Sequence, residues 1–75
     1  MIPLSMARPG EKARVVRILG GRGFIRRVTE MGFYLGAEIE IISNAQPGPL
    51  LIRLGASRFG IGFGIAQRIF VTPED

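Results

Sequence analysis

Two glycines four residues apart, Gly32 and Gly36, separate two incompatible hydrophobic periods. Before them, Phe24, Val28 and Met31 are spaced for one face of a helix. After them, Ile39 and Ile41 alternate with Glu38 and Glu40, as on a half-buried strand. Gly32 stands where a helix ends in a left-handed residue, a conformation that glycine takes without a Cβ penalty. Gly36 then marks the turn into the strand. The stretch from Arg26 to Ile42 therefore predicts a helix–turn–strand corner, and the rest of the chain must pack around it.

Seventy-five residues make a single domain. A chain of this size buries roughly 60% of the surface it exposes when unfolded, and the 47% hydrophobic content is enough to fill a small core. There is no Cys and no His, which excludes disulfides and thiolate or imidazole metal sites. Absence of cysteine suits a cytoplasmic location. The start, Met1 to Arg8, lacks a basic region followed by a sustained apolar run. The most apolar tract, Phe59 to Ala66, is flanked by arginines and falls short of the ~20 residues of a spanning helix.

Along the chain, Pro9-Gly10-Glu11 reads as a turn and Lys12 to Leu19 as a strand. The doublet Val15-Val16 breaks its alternation and predicts a bulge or a strongly coiled strand. Gly20-Gly21-Arg22-Gly23 reads as a loop, with neither a Gly-Lys-Ser/Thr sequence nor G-x-G-x-x-G spacing to make it a phosphate cradle. The helix is expected from Phe24 to Met31 and the second strand from Ala37 to Ser43. A breaker-rich turn, Asn44 to Pro49, leads into Leu50 to Leu54, with Leu50, Ile52 and Leu54 on one face. A strand over Ser57 to Ile61, a tight helical turn over Gly62 to Gln67 and a last strand at Ile69-Phe70-Val71, ended by Pro73, complete the order. About five short antiparallel strands at this spacing predict a mainly β fold, a small barrel with one short helix and one helical turn.

These residues resemble the ferrous iron transport protein A (FeoA) family over nearly the whole chain. The resemblance runs through Pro9-Gly10-Glu11, Arg27-Val28-Thr29-Glu30-Met31-Gly32-Phe33, Gly36-Ala37-Glu38-Ile39-Glu40-Ile41, Gly48-Pro49 and Ile65-Ala66-Gln67-Arg68-Ile69-Phe70-Val71. The family's usual run, Arg-x-Leu-x-x-Leu/Met-Gly-Leu/Ile-x-Pro-Gly, differs here at Val28 and at Leu35, which replaces a proline that would preset φ. Near the end, Gly60-Ile61-Gly62-Phe63-Gly64 stands where such domains carry a leucine-rich segment. The resemblance implies an SH3-like barrel with a cytoplasmic accessory role in bacterial ferrous iron uptake. Its implied partner is FeoB, the membrane permease with a cytoplasmic GTP-binding domain. A similar domain forms the C-terminal module of iron-dependent repressors; a chain that opens on Met with no DNA-binding helices before it fits the stand-alone form.

The residues offer no catalytic set: the hydroxyls of Ser5, Thr29, Ser43, Ser57 and Thr72 have no general base near them in sequence. Glu38 and Glu40 lie about 7 Å apart by strand rise and could hold a hard cation weakly, but such pairs are usually the polar face of a sheet. Tight ferrous iron binding wants imidazole or thiolate ligands, so the expected role is one without bound iron or cofactor. Ten basic residues, nine of them arginine, against six acidic ones give a net charge of +4 and make acidic partners plausible. Arg22, Arg26 and Arg27 open the helix, Glu30 lies one turn on, and Phe33 and Tyr34 meet at the corner. Arginine beside aromatics is hot-spot composition, so these six are the expected partner-binding residues, at least one ring staying exposed. The competing reading puts Phe33 in the core and the arginines in solvent. Nucleic-acid binding is a second hypothesis, compatible with the basic charge but lacking alternating aromatics on one strand. A peptide groove of the eukaryotic SH3 type would want more aromatics than one Tyr and no Trp supply.

Overall fold

The computed structural model describes residues 1–45 and 48–74. Its strands are β1 (Ile2–Pro3), β2 (Lys12–Ile18), β3 (Glu38–Asn44), β4 (Leu50–Leu54), β5 (Ser57–Ile61) and β6 (Ile69–Pro73). Helix α1 covers Arg22–Met31, a single turn α2 covers Phe63–Ala66, and a 3₁₀ turn covers Leu4–Met6. All pairings are antiparallel, in the order β1-β6-β2-β3-β4-β5. The chain passes from the β5 edge back to β6 through α2, which packs against the 3₁₀ turn. The sheet thus curls around one core, as a small sheet must when it has no second layer. Among the described residues no helix is long and apolar enough to cross a membrane.

The core follows the alternation of the strands. Ala13 and Val15 of β2, Ile39 and Ile41 of β3, Leu50 and Ile52 of β4, and Ile69 and Val71 of β6 all point inward. Leu54 and Phe59 close the layer from the rim, Phe59 standing edge-on to Phe33 with centroids 5.9 Å apart. This places the Phe59–Phe63 tract: Ile61 is core, Phe59 half-buried, and Phe63 exposed.

The mainly β barrel with one helix and a helical turn is as expected, with one strand more. β1 is two residues long, too short for any periodicity; it exists because Ile2 and Pro3 find Val71 and Phe70 on β6. The expected bulge at Val15-Val16 is present, since Val15 pairs with Val71 and Arg17 with the adjacent Phe70. Helix α1 starts at Arg22, two residues before the expected Phe24, so Arg22 and Gly23 form its first turn instead of a loop. The Gln46-Pro47 part of the expected turn lies outside the described residues.

Candidate partner-binding surface

The end of α1 decides which aromatic ring is offered to solvent. Gly32 follows the last helical residue with φ 111° and donates its N–H to the Thr29 carbonyl, while the Phe33 N–H reaches back to the Val28 carbonyl, each over 2.9 Å. This is a Schellman ending, in which the second residue past the helix packs on the residue five before it. Phe33 is accordingly driven into the core at 0% exposure, whereas Tyr34, the next residue, is 57% exposed. Phe33 therefore cannot present its ring to a partner, which corrects the six-residue expectation.

The other expected residues divide by helix face. Arg22, Ile25, Arg26 and Thr29 stand at i, i+3, i+4 and i+7 along one exposed stripe of α1. Arg27 and Glu30 are exposed on a neighbouring stripe, with Glu30 reaching Arg26 at 3.9 Å. Arg22 and Arg27 have no ion pair among the described residues. The charges also oppose the helix: α1 has no acidic residue in its first turn and no basic residue in its last. Cations near a helix N-terminus are unfavourable by about 0.3–1 kcal/mol, so helix stability does not account for Arg22.

Six residues outside the expected set belong to this surface. Val16 and Arg17 on β2, Ile25 on α1, and Leu35 beside Tyr34 line a groove of about 280 Å³, together with Ile18 and Thr29. Strict alternation on β2 would have pointed Arg17 into the core after Ala13 and Val15. The bulge turns both Val16 and Arg17 outward. The opposite wall is a turn pinned to the same strand: the Gly36 N–H donates to the Val15 carbonyl at 2.8 Å, and the Val15 N–H to the Ala37 carbonyl at 2.9 Å. The Val15-Val16 doublet was the only sequence signal of this groove; the approach of α1 to β2 was not readable locally.

Beyond Tyr34 the surface carries carboxylates as well as cations. A second groove there is bordered by Glu38, Met31 and Leu54. The Glu38 carboxyl sits above the usual carboxylate range, chiefly because it shares a hydrogen bond with Glu74, and Glu74 sits below it by the same bond, with Arg14 adding to the lowering. Arg14 meets Glu74 at 2.6 Å and donates to the Gly36 carbonyl at 2.7 Å, tying the C-terminal strand to the turn that carries Leu35. Glu40 pairs with Arg53 across β3 and β4 at 2.8 Å. Both carboxylates of the expected weak cation pair are thus engaged within the polar face of the sheet. Among the described residues no three His, Cys, Asp or Glu side chains gather to hold a metal.

Comparison with known proteins now places the chain. The FeoA domain model matches residues 2–73. A protein of Methanocaldococcus jannaschii, provisionally named Fe(2+) transport protein A, is 38% identical over all of this chain and 90% of its own length. The crystal structure of an iron uptake regulatory protein, FeoA, superposes with a TM-score of 0.92 at 40% identity, covering 97% of both chains. The zinc-complexed FeoA of Stenotrophomonas maltophilia, described as a prokaryotic SH3 domain protein, superposes with a TM-score of 0.78 at 30% identity, covering 96% of this chain and 91% of that one. The fold built above from bulge, corner and curled sheet is therefore SH3-like, and this chain belongs to the FeoA domain family.

Proposed function

We propose that this chain is an accessory protein of ferrous iron transport that acts by docking on a FeoB-type permease. Its relatives carry names drawn from iron uptake, and the S. maltophilia protein is suggested to be a ferrous iron transport activating factor. The observation that carries the docking reading is the exposed surface of α1, where Arg22 stands against the helix dipole and, like Arg27, has no ion pair among the described residues, while Arg26 has only an exposed pair with Glu30 at 3.9 Å. Arg22, Arg26, Arg27 and Tyr34 form the contact surface, and an acidic patch on the cytoplasmic part of the permease is its complement. Binding there biases the partner's GTPase or gating equilibrium.

The test is capture of the permease from detergent-solubilised native membranes, at physiological salt with nuclease present. Wild-type protein should recover it, and the double variant Arg26→Glu/Arg27→Glu should lose it while keeping its fold. Equal recovery by the variant removes this surface from the function. Capture that nuclease abolishes would instead favour a basic barrel that binds nucleic acid through phosphates.

A further inference from the structure

Four of the eight large hydrophobic side chains exposed among the described residues converge on one place. Val16 (41% exposed), Ile25 (37%), Tyr34 (57%) and Leu35 (65%) all line the groove between the β2 bulge and α1. We propose that this groove is an anchor pocket for a partner protein segment in which one large apolar side chain is flanked by carboxylates. The inference rests on the docking reading above and adds the chemistry of what docks.

Charge selects the acidic flank. Arg17 lines the groove, and Arg22 and Arg26 share the helix stripe of Ile25 and Thr29. Among the described residues no carboxylate lines it, whereas Glu38 borders the groove on the other side of Tyr34. An arriving segment thus meets apolar walls with Arg17 among them, and beside them the helix stripe that carries Arg22 and the Glu30-paired Arg26, so that an apolar centre adjoins basic side chains.

Size selects a side chain over a small molecule. The groove holds about 280 Å³, just below the roughly 300–1,000 Å³ range of ligand pockets. Its walls are themselves exposed, so it cannot enclose most of a free ligand's surface. It can cover one Phe or Leu whose backbone stays outside. The pocket is also preformed: two backbone hydrogen bonds clamp the Leu35–Gly36 turn to Val15, next to the bulge that presents Val16. Preorganisation lowers the ordering cost of binding.

The experiment is an NMR titration of the isotope-labelled full chain with three blocked peptides: Ac-Asp-Glu-Phe-Glu-Asp-NH2, the same peptide with Ser for Phe, and Ac-Lys-Arg-Phe-Arg-Lys-NH2. The acidic Phe peptide should shift the amides of Val16, Ile25, Thr29 and Leu35 saturably. Replacing Phe by Ser should weaken binding at least about tenfold, as truncating an anchor does. The basic peptide should bind more weakly still. Ile25→Ser and, independently, Leu35→Ser should abolish the shifts with the spectrum otherwise native. Shifts scattered outside the groove, or equal binding of the Ser or the basic peptide, would overturn the proposal. No permease enters this titration, so failure of the transport reading leaves its result standing. If Ile25→Ser loses the peptide yet still captures the permease, the anchor proposal fails and the transport reading survives.

Discussion

The Phe33 amide donates to the Val28 carbonyl over 2.9 Å, and both side chains are fully buried. That one bond reverses the chain at the end of α1 and fixes which side of the corner faces the core. It requires Gly32 at φ 111°, and a Cβ there would come within 2.7 Å of Leu54 Cδ2. Gly32→Ala should therefore destabilise the domain by about 1–3 kcal/mol, from left-handed strain and the Leu54 clash together. Urea unfolding measures it; a loss below a few tenths would mean that the corner relaxes freely.

The two rings of the corner should separate cleanly in a paired experiment. Phe33→Ala removes a buried side chain that meets Phe59 edge-on, and should cost about 3–5 kcal/mol. For a domain whose whole stability is on the order of 5 kcal/mol, that is close to unfolding. Tyr34→Ala should change stability by about 0.5 kcal/mol or less and reduce capture of the permease. Thermal melts alongside the capture assay check both.

The arginine stripe predicts a conflict between stability and binding. Arg22→Glu puts an acid in the first turn of α1, and should stabilise it by about 0.3–1 kcal/mol at low salt while weakening partner capture. Gly23→Ala is the control, because a Cβ there meets nothing within 4 Å. It should stabilise by about 0.5–1 kcal/mol and leave capture unchanged. If Arg22→Glu binds as well as wild type, the stripe is only solvated surface.

The Glu38–Glu74 pair makes a pH prediction with a definite sign. Glu38 binds its proton more tightly folded than unfolded, so its contribution is present at low pH and is lost as pH rises through its raised value. Glu74 does the reverse: its contribution is present above the ordinary carboxylate range and is lost as pH falls through its lowered value. Glu38→Gln keeps a donor for Glu74 and removes the like charge. The variant should gain melting temperature relative to wild type at pH 7 and lose that advantage at the acid end of the carboxylate range. An advantage constant between pH 4 and pH 7 would mean that the two carboxyls do not share a proton.

Local pattern determined much of this protein. The step from helical to strand period across Gly32 and Gly36, the valine doublet and the breaker-bounded strands placed α1 and five of the six strands within a residue or two. Each rests on interactions between near neighbours in sequence: helix hydrogen bonds, alternation on a pleated strand, and the freedom of glycine at positive φ. The exposed arginines of α1 were legible for the same reason, since a helix face is a fixed periodicity. Tertiary structure decided the rest. β1 exists only because β6 lies beside it, and Phe33 is core because the Schellman turn folds it under Val28 and against Phe59. The groove needs β2, α1 and the Leu35 turn brought together from three stretches of sequence. Which apolar residues stay outside is set by how these elements close on each other, a long-range outcome that no local period encodes.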